Sequence, residues 1–298
     1  MSFRSWPRWL AILIAGAVVL TLSMGARQVS GLFLQPVAMG LGLSREAFGT
    51  AVAIQNLVWG LAQPFAGFLA DRYGARPVVI GAGLIYAAGL ALAASATDAT
   101  SFTLGLGLLC GLGQAGTSFA VALSIIGRAT PAEHRSLALG LGSTAGSIGV
   151  FLMVPMTSML IEAFDWRPSL YVLAGMLLLM PLLGLALREQ PAASKAGSTS
   201  GWTAAGIAHR DRDYWLLNLG FATCGFQLAF LATYLPTLLI DGGLGLSAGA
   251  AVLAAIGLFN ILGTWGCGLA GARWRKSRVL TVVYIARAAL MIAFRRCR

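Results

Sequence analysis

The stretch LTLSMGARQVSGLFL, residues 20–34, sets one arginine, Arg27, inside a run that otherwise reads as the middle of a membrane helix. A guanidinium at that depth costs roughly 2.5–3.5 kcal/mol on insertion scales unless a partner or water meets it. All ten acidic residues fall at the ends of apolar runs or between them, so the sequence offers Arg27 no internal carboxylate. An anionic ligand would supply one, because a planar guanidinium presents paired donors that match the two oxygens of a carboxylate. The bland alternatives are that Arg27 reaches back to the interface or binds backbone carbonyls. Ser23, Arg27 and Ser30 follow helical spacing and read as one polar stripe. A comparable stripe, Thr223, Gln227 and Tyr234, lies in a later apolar run, and Asn260 adds an amide in the run after that. Arg27, Gln227, Tyr234 and Asn260 are therefore the candidate ligand-binding residues.

These residues need helices to carry them, and the composition supplies helices of one kind. The chain has 298 residues, 58% of them hydrophobic and 10% charged, with a mean hydropathy of +0.80. So much apolar surface cannot be hidden in one water-soluble core, and the expectation is an all-α integral membrane protein embedded in a lipid bilayer. Charge-free runs at 9–26, 47–70, 77–97, 99–127, 136–161, 168–187, 214–240 and 242–272 are each long enough for a span, and 279–294, interrupted by Arg287, is a weaker ninth.

The net charge of +11 would suit nucleic acid if the basic residues formed one patch. Instead Arg4, Arg8, Arg72, Arg76, Arg128, Arg135, Arg210 and Arg212 all fall on one side of the alternating spans, while Arg45 and Arg167 stand on the other. That asymmetry is the positive-inside pattern, which predicts a cytoplasmic N-terminus and no nucleic-acid partner. The basic opening MSFRSWPRW resembles a signal-peptide n-region but leads into a retained span. Cys110, Cys224, Cys267 and Cys297 show no metal-ligand spacing, and no cofactor motif is present in a suitable context. GLGQAG at 111–116 spells a dinucleotide fingerprint, yet it lies inside an apolar span with no strand before it, so helix packing is its expected role.

The most polar segment, 189–213, reads as a cytoplasmic linker between a six-span bundle at 1–188 and a partial second bundle of three spans at 214–298. A weak repeat agrees: GLGLSREAFGTAVAIQNLVWG at 40–60 and GLGLSAGAAVLAAIGLFNILG at 243–263 share eight identities in 21 positions. At an offset of 200, Gly25 matches Gly225 and Pro36 matches Pro236. Parallel repeats of this sort place a ligand site between two bundles.

The turn GFLADRYGAR, residues 67–76, resembles the signature loop of the major facilitator superfamily through Gly67, Leu69, Ala70, Asp71, Arg72, Gly74 and Arg76; Ala75 departs from it. The resemblance implies the major facilitator fold, transport by alternating access, and a gating role for Gly67, Asp71, Arg72, Gly74 and Arg76. RSLALGLGSTAGSIG at 135–149 is similar to the fifth helix of monocarboxylate transporters through Arg135, Leu137, Ala138, Gly140 and Gly149, and Arg27 matches that family's basic residue in the first helix. The family's acidic, Trp-rich opening is absent, and its eighth-helix Asp and Arg are replaced by Asn260 and Thr264. CGFQLAFLATYLP at 224–236 and IGLFNILG at 256–263 resemble bacterial carriers related to the monocarboxylate and oxalate/formate groups. Together these resemblances imply a carrier of a small organic anion in a bacterial inner membrane, coupled to a proton or a counter-anion. Gly142, Gly146 and Gly149 form a small face suited to close helix packing. The competing expectations are a truncated, transport-inactive membrane fragment, since three spans stand where the superfamily has six, and a drug or metabolite exporter. The exporter is disfavoured by the lack of an adjacent Gly-Pro in the fifth span.

Overall fold

A computed structural model describes residues 8–187, 206, 209–274 and 276–296, with side chains omitted at several positions beyond 264. Most of the expected linker, 189–213, lies outside the described residues, as does Cys297.

The described chain is helical throughout, and its segments line up as nine rods. The first rod is α1 (Arg8–Gln28) and α2 (Ser30–Leu41), the second α3 (Arg45–Tyr73), the third α4 (Ala75–Ser95). The fourth is composite: α5 (Ala99–Phe102), a π-helical turn (Thr103–Leu109), α6 (Cys110–Gly116) and α7 (Phe119–Ala129). Then come α8 (Arg135–Phe164), the pair α9 (Trp166–Leu177) and α10 (Leu179–Ala186), α11 (Arg212–Asp241), α12 (Leu246–Arg273) and α13 (Lys276–Arg296). Among the described residues, seven helices are long and apolar enough to cross a membrane by length and composition. The second rod, α3, is not among them, because Gln55, Asn56 and Gln63 interrupt its apolar run.

Local chemistry sets the boundaries. Ser44 caps α3 by accepting from the Ala47 amide at 3.1 Å. Asp98 accepts from the Thr100 and Ser101 amides, both at 2.8 Å; these bonds, that to Ser101 foremost, hold its carboxyl below the usual range. Gly42 and Gly74 turn the chain at φ +63° and +84°, where a side chain would be strained. The first rod is interrupted at Val29, two residues past Arg27.

The rods pack by close backbone approach, as expected where lipid removes most of the hydrophobic drive between helices. A Cβ at Gly149 on α8 would overlap the Thr21 carbonyl of α1, and one at Gly25 would overlap Met153. Beside that seam, Cβ atoms at Gly142 and Gly146 would sit 2.9 Å from Leu123 and 2.6 Å from the Phe119 ring. The GLGQAG glycines do the same work: Gly111 lies against α3, and Gly113 and Gly116 against α4. Large apolar side chains such as Leu57, Leu61, Phe65, Phe226 and Phe259 remain exposed, a surface suited to hydrocarbon.

Alternation of the rods defines two ends. The basic end carries Arg72, Arg76, Arg128, Arg135 and Arg212; the opposite end carries the 41–45 and 241–246 turns. α11 and α12 meet the six-rod bundle unevenly. Arg212–Leu219, at the basic end of α11, is exposed throughout, whereas Ala232, Thr233, Pro236 and Thr237 farther along are buried. A Cβ on Gly31 of α2 would overlap the Ala232 carbonyl of α11, so the first rod of each bundle crosses the other near positions related by the repeat. At the opposite end Arg45 and Asp241 join the bundles through paired bonds of 2.6 and 2.9 Å.

Candidate functional site

Arg27 lies where these bundles meet. Its Nη2 donates to Asn56 Oδ1 at 2.8 Å, and its guanidinium carbon sits 4.6 Å from the centre of the Trp59 ring. Asn56 Nδ2 in turn donates to the Val52 carbonyl at 2.8 Å, which fixes the amide with its oxygen toward the arginine. The α3 helix places Asn56 and Trp59 three residues apart, on neighbouring turns of one face. A neutral acceptor and an aromatic face stabilise a guanidinium without neutralising it. Among the described residues no carboxylate pairs with Arg27.

A narrow cleft opens beside it, lined by Arg27, Gln28, Ser30, Val52, Gln55 and Asn56 from the first bundle and by Ala229, Ala232 and Thr233 from α11. The cleft is thus built from both bundles. Larger hollows at Gly266–Val283 and beneath Phe65 and Tyr73 are mostly apolar and lie elsewhere.

The expected stripe on the first rod divides. Ser23 is fully buried and shares a 2.8 Å hydrogen bond with Thr117 inside the first bundle, and its carbonyl accepts from the Tyr86 hydroxyl at 3.5 Å, so it does not border the cleft. Ser30 does. On α11 the stripe also departs from expectation. Thr223 is exposed and bonded to the Leu219 carbonyl at 3.0 Å of its own helix. Gln227 is half-buried and outside the cleft lining. The Tyr234 hydroxyl rests against Gly49 of α3 and its ring packs 5.3 Å from Phe230. Thr233, not singled out by spacing, is the α11 side chain with a hydroxyl at the cleft. Asn260 crosses between bundles at a different level, donating to Ser147 Oγ at 3.1 Å. Arg287 donates to Cys224 Sγ at 2.9 Å in the seam between α13 and α11, away from Arg27.

The signature turn lies at the basic end. Asp71 pairs with Arg128 at the end of α7 at 2.9 Å, Arg72 lies 5.5 Å from the Tyr73 ring, and Arg76 is exposed. Gly74 is needed for its positive φ, while a Cβ on Gly67 would meet open space.

Asn56 and Trp59 were not anticipated from the sequence as contacts of Arg27, nor Gln55 as part of the cleft. Their signal is the polar interruption of α3, which marks a span with something other than lipid on one face.

An antiparallel array of long apolar helices, with a half-buried arginine at the crossing of two bundles, defines a polytopic helical membrane fold. Residues 16–294 match the Major Facilitator Superfamily, and the chain belongs to it, a family of transporters rather than enzymes. It is 30% identical over 256 residues to human monocarboxylate transporter 11, covering 83% of this chain and 53% of that protein. It is 26% identical over 296 residues to the MFS-type transporter YcxA of Bacillus subtilis, covering 95% of this chain and 71% of the other. The chain thus spans about half the length of the monocarboxylate transporter it matches. Among solved structures it superposes on a bacterial homologue of the human lysosomal transporter Spinster with a TM-score of 0.70 at 19% identity, covering 90% of this chain and 64% of that one. The D-xylose–proton symporter gives a TM-score of 0.66 at 15% identity, covering 89% and 69%.

Proposed function

We propose that the protein is a secondary active carrier that moves a small, monocarboxylate-like organic anion by alternating access. Arg27 binds the carboxylate. The observation that carries this reading is a guanidinium oriented by Asn56 and Trp59, facing a cleft between two bundles, with no carboxylate partner among the described residues. A charge held in that way costs free energy that an anionic cargo offsets. The relatives named monocarboxylate transporters support the same class of cargo.

The proposed organisation is two bundles, 1–188 and 214–298, joined by 189–213. The excess of Arg and Lys at one end supports a cytoplasmic N-terminus in a bacterial inner membrane. The opposite end is then the outer one, closed by the Arg45–Asp241 pair and the Gly31–Ala232 crossing. The exposed start of α11 supports an opening toward the cytoplasm. On the inner side Asp71 and Arg128 tie α3 to α7, so that the first bundle moves as one body. Asn260 and Ser147 bridge the bundles and act as part of the lateral seam. Movement of the anion is coupled to a proton or a counter-anion.

The test is uptake of labelled two- to four-carbon monocarboxylates into proteoliposomes. The full chain should accumulate at least one of them, and Arg27→Ala should reduce that uptake to the level of empty vesicles. Undiminished uptake by Arg27→Ala would sink the assignment.

A further inference from the structure

Asn56 and Gln55 are neighbours on α3, but their amides are used differently. Both ends of the Asn56 amide are engaged, the oxygen with Arg27 and the nitrogen with Val52. Gln55 is only 4% exposed, borders the cleft, and makes no hydrogen bond to the described residues. Its amide is therefore free to meet a ligand or a water in the cleft.

Thr233 repeats the pattern from the other bundle. Threonines in these helices commonly return their hydroxyl to the carbonyl four residues back, as Thr50, Thr144, Thr223 and Thr264 do. Thr233, 3% exposed and on the same cleft, makes no such bond. Two largely buried side chains, one from each bundle, therefore bring uncharged hydrogen-bonding groups without a protein partner to the cleft beside the arginine.

We propose that Gln55 reads a second polar group on the cargo, with Thr233 contributing from the opposite bundle. The inference rests on the anion-carrier reading above. Arg27 takes the carboxylate, and Gln55 takes a hydroxyl or carbonyl close to it; an amide can donate to one and accept from the other. The preferred cargo is then a carboxylate bearing such a group, over a plain alkyl carboxylate of equal size. In the present arrangement the cleft has room for a water-sized group and not for an organic anion. The cargo enters with the bundles farther apart, and closure brings Thr233 onto the group that Gln55 already holds. Recognition and closure are joined at one cleft.

Competing uptake of glycolate and acetate by one proteoliposome preparation measures this contact as a ratio, which the amount of folded protein does not alter. The wild-type chain should favour glycolate by roughly tenfold, about the effect of leaving one buried polar group unpaired. Gln55→Leu and Gln55→Met should bring the ratio near one while acetate uptake persists, and Thr233→Val should lower the ratio part of the way. A ratio unchanged in both Gln55 variants, with Arg27→Ala still inactive, overturns this inference alone and means that water satisfies Gln55. Loss of acetate uptake together with glycolate in both Gln55 variants overturns it as well, since a contact to the second group leaves acetate untouched. No uptake of glycolate or acetate by a wild-type chain that takes up a longer monocarboxylate overturns this inference alone; no uptake of any two- to four-carbon monocarboxylate, or equal uptake by Arg27→Ala, overturns the anion-carrier reading and this inference with it.

Discussion

Arg27 is held by two neighbours that do different things. Trp59 shields the guanidinium with its ring face, while Asn56, itself locked to Val52, fixes the direction in which the remaining donors point. Replacing Asn56 by leucine keeps the volume and removes the orienting bond. The expected result is a roughly tenfold rise in the concentration for half-maximal anion uptake, equivalent to ~1.4 kcal/mol, with the maximal rate retained. Concentration-dependent uptake checks this, and an unchanged half-saturation would show that Asn56 does not position the arginine. Arg27 itself was legible in the sequence because one charge stands out in an apolar run. Its partners were not, since Asn56 and Trp59 lie on a separate span and nothing in their spacing says which face meets the first rod. Ser23 misled for a related reason. It shares helical spacing with Arg27, but one turn away that face meets Thr117 in the first bundle instead of the cleft.

At the scale of elements, glycine decides how near the rods come. Gly149 and Gly25 bring α1 and α8 into backbone contact, and any side chain at Gly149 would overlap Thr21. Gly149→Val should therefore lower thermal stability in detergent by about 1–3 kcal/mol. Gly67→Ala, with open space around its Cβ, should leave stability unchanged or slightly raised, because alanine is the better helix former. Equal melting temperatures for the two variants would contradict this account of the packing. The helical rods and their order were readable from charge-free runs, and the small face at 142–149 from its spacing. The π-helical turn at Thr103–Leu109 and the break at Val29 were not: the turn carries Gly105 and Gly107, packed against α4 and α3, but glycines just as frequent elsewhere in the chain leave α-helix undisturbed. Pro36, Pro64, Pro155 and Pro236 are local breakers, yet all lie inside continuous helices.

At the scale of the molecule, the two bundles touch unevenly. The opposite end is drawn together by Arg45 with Asp241 and by the crossing of Gly31 over Ala232. Gly31→Val places a branched side chain against the Ala232 carbonyl and should hold the first rod and α11 apart. Spin labels at Leu43 and Gly245 should report a longer distance in that variant, and an unaltered distance would show that Gly31 does not govern closure. In the proposed carrier an anion completes the charge left open at Arg27. Ligand that binds only the folded state raises apparent stability by an amount set by its concentration relative to Kd, about 2.7 kcal/mol at a hundredfold excess. The most direct measurement is the melting temperature of the purified chain with and without saturating glycolate, for wild type, Arg27→Lys and Arg27→Ala. Wild type should show a clear upward shift, Arg27→Lys, which keeps the charge and loses the planar fork, a smaller one, and Arg27→Ala none. An equal shift in wild type and Arg27→Ala would contradict anion binding at that residue.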